Sequence, residues 1–293
     1  MLRDLKYFFL ISRPVNVLIS LLAFGVACFF VNHRTFIFLT HSKFWYTAIT
    51  IAVIAATGYW INDVYDFRID RINKPRKTVV NAILSVKKVL TAYFAANFLI
   101  LVFSTLFLGY LHHEVAITFI NFLSVALLFV YASYLKRVSV AGNLVISFLI
   151  ALVLILAYYL YDRINMALIW TIVFAFEITF IREITKDVED IEGDLKFELR
   201  TLPIILGVKH TKRALLGLYI IFLISGSLPF LINYLREGVW LWNYLISSII
   251  LVQIPTLYLI RLLLKSKEPT DFAPQSNYLK VLMLMGIITL FFI

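Results

Sequence analysis

The sequence predicts an all-α integral membrane protein, and three observations support this prediction. Hydrophobic residues make up 62% of the 293 residues and charged residues only 15%, well below the roughly 25% charged residues of an average soluble domain. Apolar stretches long enough to cross a bilayer recur along the chain. Most charged residues lie in the short segments between these stretches. We therefore expect a single transmembrane domain over residues 1–293, with nine helices around a central apolar cavity and an acidic site on the cytoplasmic side.

The predicted spans are nine apolar stretches of about 17–25 residues, the length that crosses the hydrocarbon core as a helix. A short polar connection, 161–165, separates the fifth span from the sixth. The stretches fall at 15–31, 44–62, 90–111, 115–134, 141–160, 166–182, 214–233, 239–262 and 277–293.

The distribution of Lys and Arg predicts the orientation. Twenty-three of the 27 basic residues fall on the side of the N-terminus, and four fall on the other side. Because cytoplasmic loops carry the excess of Lys and Arg, the N-terminus is predicted to be cytoplasmic, in a multi-pass protein of the cell's inner membrane. The net charge of +10 is then explained by topology and by anionic ligands and lipids. We expect no nucleic acid and no obligate protein partner.

Two clusters of three aspartates share the spacing i, i+3, i+7, and each follows an apolar stretch. Positions with this spacing share one face of a helix. Both clusters are predicted on the cytoplasmic side, so we expect them to meet, and their repetition suggests a pseudo-repeat of helical units. The first cluster is Asp63, Asp66 and Asp70, with Asn62 one turn before Asp66, and the second, 124 residues later, is Asp187, Asp190 and Asp194.

Oxygen donors without His or Cys are typical of a Mg²⁺ site. The five histidines are scattered and Cys28 is the single cysteine, so a zinc or haem site is not expected. The alternative is that these acids are solvated loop residues that balance nearby cations. Charges at membrane depth are costly and tend to be functional, which favours the metal site. The predicted ligands are Asn62, Asp63, Asp66, Asp70, Asp187, Asp190 and Asp194.

Cations flank both clusters, as binding of a diphosphate would require. For any one of them, the topology rule explains the charge as well as substrate binding does. Asn143, at the start of the fifth span, is a candidate polar contact, although such residues often cap or join helices. The candidate substrate-binding residues are Arg13, Lys77, Lys136, Arg137, Asn143, Arg182 and Lys186.

Two tyrosines, Tyr131 and Tyr134, lie at the end of the fourth span, just before Lys136. The face of a tyrosine ring attracts cations and is suited to stabilise an allylic carbocation. An interfacial tyrosine belt explains the same residues.

The segment 62–70 reads Asn-Asp-Val-Tyr-Asp-Phe-Arg-Ile-Asp and resembles, in full, the first motif of the UbiA superfamily of intramembrane prenyltransferases, Asn-Asp-x-x-Asp-x-x-x-Asp. The continuation 71–75 and the nine spans agree as well, so the resemblance covers essentially the whole chain. The second motif, 182–194, resembles the branch of the family that makes digeranylgeranylglyceryl phosphate. One departure is Arg76-Lys77-Thr78, where the family commonly reads Asp-Arg-Pro. Lys77 supplies the charge but not the guanidinium fork.

The resemblance implies a prenyltransferase that moves a geranylgeranyl group from its diphosphate to the hydroxyl of a glycerol-phosphate lipid, forming an ether. Two Mg²⁺ ions would lie between the two motifs and stabilise the departing diphosphate, and a dry pocket would protect the allylic cation. Asp70, Asp187 or the released diphosphate would accept the hydroxyl proton. The residues assigned to catalysis are Asp66, Asp70, Asp187, Lys136, Tyr131 and Tyr134.

Two alternatives stay open at this point. The first is an aromatic acceptor, as in quinone or haem biosynthesis, because those members of the family share much of the pattern. The second is a cation-coupled transporter. A transporter would place ionisable residues near the middle of the membrane, whereas these acids cluster at one end of the spans.

Overall fold

The structure is a computed structural model that describes residues 2–73 and 78–293, and Lys77 lies outside these residues. Each of the nine predicted spans falls on helical structure. Seven helical segments in the described parts are long and apolar enough to cross a membrane. By the length and composition of these helices, the chain is a multi-pass integral membrane protein. The helices are α1 (Leu2–Ile11), α2 (Pro14–Val31), α3 (Ser42–Asn73), α4 (Val86–Phe103), α5 (Val115–Ser133), α6 (Ala141–Tyr161), α7 (Met166–Glu189), α8 (Ile191–Lys196), α9 (Leu202–Glu237), α10 (Trp242–Ser248), α11 (Ile254–Lys265) and α12 (Phe272–Leu290).

Two of these helices continue as π-helix. One π-helical segment, Ser104–Leu111, extends α4, and another, Ile249–Gln253, joins α10 to α11. The predicted spans 166–182 and 277–293 coincide with α7 and α12, which are not among the seven segments. The count of nine spans therefore stays a prediction.

The contacts between residues divide the chain into two compact units. The first unit contains the residues up to 136 and residues 152–164, and the second contains residues 137–151 and 165–293. One of the points where the chain passes from one unit to the other, between residues 151 and 152, lies within α6.

In the first unit, α3 packs against α2, α4 and α5. Gly58 of α3 makes the approach to α5 close, because a Cβ atom at this position would lie 2.8 Å from Cδ1 of Leu128. Gly58 is one helical turn before Asn62. The packing of α3 on α5 therefore sets the position of the first acidic motif.

A buried polar network joins α3, α4 and α5 within their apolar parts. The amide Nδ2 of Asn121 donates to Oγ of Ser104 at 2.9 Å and to Oγ1 of Thr50 at 3.3 Å. The hydroxyl of Thr118 donates to the carbonyl of Ser104 at 3.2 Å, where the π-helical segment begins. In a bilayer such polar groups must find partners inside the protein, so these bonds fix which helix faces meet.

Replacing Asn121 with Leu is expected to destabilise the protein by about 1 kcal/mol, since interhelical hydrogen bonds in membranes average about 0.6 kcal/mol each. The matched control is Asn97→Leu, because Asn97 is also buried but makes one interhelical contact, from the hydroxyl of Thr57 at 3.2 Å. Thermal unfolding in detergent should show a larger loss for Asn121→Leu. Equal losses, or the reverse order, would contradict the role given to the network.

The amphipathic helix α1 and the residue that follows it contact α3 and α4. The indole N–H of Trp60 donates to the hydroxyl of Ser12 at 2.8 Å, and the ring of Phe8 meets Trp60 edge-on at 5.0 Å. Asp4 pairs with Lys88 of α4. The contacts of Trp60 with Ser12 and Phe8 place the turn between α1 and α2 beside the segment of α3 that carries the first motif.

In the second unit, α7 packs against α9 and α12. Its apolar face meets a buried cluster that includes Leu215, Tyr219 and Leu279. The helix α9 kinks at Gly207, whose φ of 77° and ψ of 155° suit glycine and strain other residues. Outside this kink α9 is continuous through Glu237.

Candidate active site

The first motif lies on one continuous helix. The apolar stretch ends near residue 62, but α3 continues to Asn73 and carries all four polar residues of the motif. The amide of Asn62 donates to Oδ2 of Asp66 at 2.7 Å. This contact confirms that positions i and i+4 of the motif share a face.

Asp66 is the most deeply buried acid of the first motif, with 4% of its surface exposed. Its Oδ2 atom also accepts from the ammonium of Lys136, which follows α5. A buried carboxylate is strongly destabilising unless it is paired and hydrogen-bonded. Here Lys136, which is predicted to bind the substrate, pairs with Asp66, which is predicted to bind the metal.

Asp63 is paired with Arg13. The guanidinium Nη2 of Arg13 donates to Oδ1 of Asp63 at 2.8 Å, and its Cζ atom lies 4.8 Å from the centroid of the Tyr59 ring. Arg13 is a predicted substrate contact, and the structure places it at the first motif. Asp70, one turn after Asp66 on α3, is half-buried.

The two predicted tyrosines differ in their surroundings. Tyr131 packs against a buried cluster of Ile61, Tyr93 and Ala132, next to the start of the first motif. Tyr134 is 63% exposed. That exposure is typical of an interfacial tyrosine, whereas the position of Tyr131 agrees with a role near the motif.

The second motif is built differently from the first, which corrects the expectation of two matching helical faces. The helix α7 ends at Glu189, Asp190 has φ of −94° and ψ of 6°, and α8 starts at the next residue. Asp187 therefore lies on α7 and Asp194, with 3% exposed, on α8. Equal spacing does not give equal structure, because the helix is interrupted between the acids.

Asp187 interacts with the predicted contact Asn143. The amide Nδ2 of Asn143, which is buried in α6, donates to Oδ2 of Asp187 at 2.8 Å. Burial raises the pKa of the Asp187 carboxyl to about 7, and the hydrogen bond from Asn143 opposes that rise. A nearby cation would favour the charged form.

A buried glutamate joins two of the predicted substrate cations. Glu183 accepts from Nη1 of Arg182 through Oε1 and from Nζ of Lys186 through Oε2, both at 2.9 Å. Sequence reasoning gave Glu183 no role. Glu183 directly follows Arg182 and precedes Lys186 by three residues. Because residues three apart are neighbours on a helix, this spacing could have predicted the pair with Lys186.

The remaining predicted contact, Arg137, has an exposed side chain. Its backbone carbonyl accepts from the amide N–H of Arg200 at 3.2 Å. This bond connects the segment before α6 to the segment before α9.

The chemistry of the first motif fits Mg²⁺. The amide oxygen Oδ1 of Asn62 is buried and has no hydrogen-bond partner among residues 2–73 and 78–293. An oxygen in that situation is costly to bury and is suited to ligate a hard cation. Within residues 2–73 and 78–293, no group of three His, Cys, Asp or Glu side chains is placed so that it could hold a metal by itself.

One pocket in the second unit is lined by residues that include Trp170 of α7 and Asn233 and Arg236 of α9. Trp170 precedes Asp187 by 17 residues, which is about 25 Å along a helix. The pocket therefore belongs to the other end of α7, and the predicted central cavity stays a prediction.

Comparisons with known proteins agree on one family. The profile of the UbiA prenyltransferase family matches residues 18–282. A digeranylgeranylglyceryl phosphate synthase of Methanosphaera stadtmanae is 31% identical over 280 residues, which cover 95% of this chain and 96% of that protein. The enzyme of the same name from Saccharolobus solfataricus is 31% identical over 245 residues, covering 83% and 81%.

Solved structures show the same fold. A structure described as giving insights into the biosynthesis of digeranylgeranylglyceryl phosphate synthase in membranes superposes with a TM-score of 0.70 at 25% identity, covering 98% of this chain and 97% of that one. A UbiA homolog from Archaeoglobus fulgidus, bound to GPP and Mg²⁺, superposes with a TM-score of 0.59 at 18% identity, covering 97% and 99%.

Proposed function

Because the chain belongs to the UbiA prenyltransferase family, we propose that it transfers a geranylgeranyl group from its diphosphate to the hydroxyl of a glycerol-phosphate lipid, forming an ether. The observation that carries this proposal is the pairing of buried Asp66 with Lys136. In this pair a carboxylate that can bind a metal ion contacts an ammonium group that can bind a phosphate. The lipid acceptor is supported by the names of the relatives that match most of the chain.

The residues suited to hold Mg²⁺ are the oxygen donors of the two motifs. We propose two ions, held mainly by Asn62 and Asp66 and by Asp190 and Asp194. The remaining acids, Asp63, Asp70 and Asp187, serve as further ligands or support the ligands. When bound, Mg²⁺ supplies electrostatic stabilisation of the charge that develops on the diphosphate.

The cations of the chain neutralise the rest of the diphosphate charge. Lys136 does so beside Asp66, and Arg182 and Lys186 do so beside the second motif. Arg13 acts at the first motif, where it already lies against Asp63. Lys77, Arg137 and Asn143 are proposed as further contacts of the substrates.

The reaction itself exchanges one carbon–oxygen bond for another. The bond between the first prenyl carbon and the diphosphate breaks, and the acceptor hydroxyl oxygen forms the ether bond to that carbon. The ring of Tyr131 offers a face to the allylic cation, with Tyr134 as a second, more exposed candidate. The hydroxyl proton passes to Asp70, to Asp187 or to the diphosphate.

The proposal includes an orientation. Residues 1–293 act as one prenyltransferase domain in the cell membrane, with the N-terminus and both acidic motifs on the cytoplasmic side. The excess of Lys and Arg on that side supports it.

The test is an assay of purified protein in lipid vesicles with geranylgeranyl diphosphate and Mg²⁺. We expect an ether-linked product with geranylgeranylglyceryl phosphate and none with a panel of aromatic acids. Chelation with EDTA should abolish product formation, and added Mg²⁺ should restore it, because the diphosphate is a poor leaving group without charge neutralisation.

Three outcomes would revise the proposal. Product on an aromatic acid would keep the family and change the acceptor. Full activity in EDTA would remove Mg²⁺ from the proposal. No release of diphosphate with any acceptor, from protein that unfolds cooperatively, would overturn it.

A further inference from the structure

Glu183 is a buried acid of the second motif region that bonds two cations at once. It is 8% exposed, and its two carboxylate oxygens accept separately from Arg182 and Lys186 at 2.9 Å. Arg182 and Lys186 themselves are largely covered, with 13% and 24% of their side chains exposed.

The two cations need such a partner. Arg182 and Lys186 are four residues apart on α7, so their charges repel on one helix face. Both side chains are long and have many rotamers, and holding them in one geometry costs conformational entropy. A buried carboxylate between them opposes the repulsion and limits both side chains to one arrangement.

The arrangement leaves Arg182 able to bind an anion. Its Nη1 atom donates to Glu183, but its Nε atom is buried and has no hydrogen-bond partner in the part of the chain that the structure describes. An unsatisfied buried N–H group is costly, and a phosphate oxygen would satisfy it.

We propose that Glu183 is a positioning residue that holds Arg182 and Lys186 in place for the diphosphate of the prenyl donor. The inference rests on the proposed function, which assigns these cations to the diphosphate. Glu183 itself does not contact the reacting atoms. Loss of Glu183 is therefore expected to raise KM for the diphosphate without changing KM for the acceptor.

The experiment measures KM for geranylgeranyl diphosphate and for the acceptor separately, in Glu183→Gln and Glu183→Asp. In Glu183→Gln we expect KM for the diphosphate to rise about tenfold, because charge-assisted bonds are lost, while KM for the acceptor stays within about twofold. Glu183→Asp keeps the charge and should recover part of the loss.

The matched control is Glu177→Gln. Glu177 is an acid of the same helix whose carboxylate accepts from the neutral hydroxyl of Ser225 at 2.6 Å. Because this partner is a neutral hydroxyl, KM for the diphosphate should stay within about twofold of the original value. A double variant tests the coupling directly. Adding Glu183→Gln to Lys186→Met should raise KM by clearly less than the product of the two single effects.

Several results would overturn the inference: an unchanged KM for the diphosphate in Glu183→Gln, an equal rise of both KM values, or the same rise in Glu177→Gln. If Glu183→Gln does not fold, Glu183→Asp and the Lys186 variants decide the question by the same measurements.

If the proposed function itself is wrong, the result differs, because the unchanged protein then forms no product. In that case the probe is inorganic pyrophosphate with Mg²⁺, measured by calorimetry. Weaker binding by Glu183→Gln than by the unchanged protein and by Glu177→Gln supports the positioning role, and equal binding removes it.

Discussion

Replacing Asp66 with Asn is expected to lower kcat/KM for prenyl transfer by roughly 10²–10³-fold, the size of effect seen when one electrostatic contact to a developing charge is removed. The substitution keeps the shape of the side chain and removes its charge. Lys136 then loses the carboxylate that it contacts, and Asn62 loses the charged acceptor of its amide. Both effects act on the residues proposed to hold Mg²⁺ and the diphosphate.

The control for this substitution is Asp4→Asn. Asp4 also pairs with a lysine, Lys88, but 31% of its side chain is exposed and it lies on α1. Surface pairs of this kind contribute little, so the rate should stay within about twofold. If Asp66→Asn retains more than a tenth of the activity, the assignment of the buried carboxylate to the active site is wrong.

Replacing Gly58 with Val is expected to destabilise the protein by about 1–3 kcal/mol, the usual cost of adding atoms to a packed contact. The first added carbon would lie 2.8 Å from Cδ1 and 3.0 Å from Cδ2 of Leu128. Relief requires a movement of Leu128 or a separation of α3 from α5. Because Gly58 precedes Asn62 by one turn, a separation would also displace the first motif.

Gly25 provides a matched control for Gly58. Apart from its chain neighbours and the nearby backbone of α2, no heavy atom of the described residues lies within 4 Å of a Cβ atom placed at Gly25. Gly25→Val should therefore leave the thermal unfolding temperature in detergent nearly unchanged, while Gly58→Val lowers it. Combining Gly58→Val with Leu128→Ala should cost less than the sum of the two single changes. Additive losses would show that the contact with Leu128 is not the cause.

The helical parts of the fold follow well from hydropathy, but their ends do not. The apolar stretch 44–62 predicted a span, whereas α3 continues through eleven further residues to Asn73. Polar residues form the same backbone hydrogen bonds as apolar ones, so a helix does not end where its hydropathy falls. The π-helical segment that begins at Ser104 was not predicted either, and its contacts with Asn121 and Thr118 come from another helix, which local sequence does not reveal.

The contacts of the candidate site were likewise predictable only where they are local in sequence. Local spacing correctly predicted that Asn62 and Asp66 meet. The partners Arg13 and Lys136 are 50 and 70 residues away from the acids they bind, and only tertiary packing determines these pairs. The expectation of a second helical face failed at Asp190, because helix termination depends on local backbone geometry that the acid spacing does not encode.

The ion pair of Arg13 with Asp63 is combined with an unfavourable backbone conformation at Arg13. Its backbone is left-handed, with φ of 49° and ψ of 62°, although it is not glycine and precedes Pro14, which favours an extended neighbour. Glycine would adopt this turn more readily but would leave Asp63 without its guanidinium. Arg13→Gly would relieve the backbone cost but leave the largely buried carboxylate of Asp63 without its partner, so the turn and the ion pair favour different residues at this position.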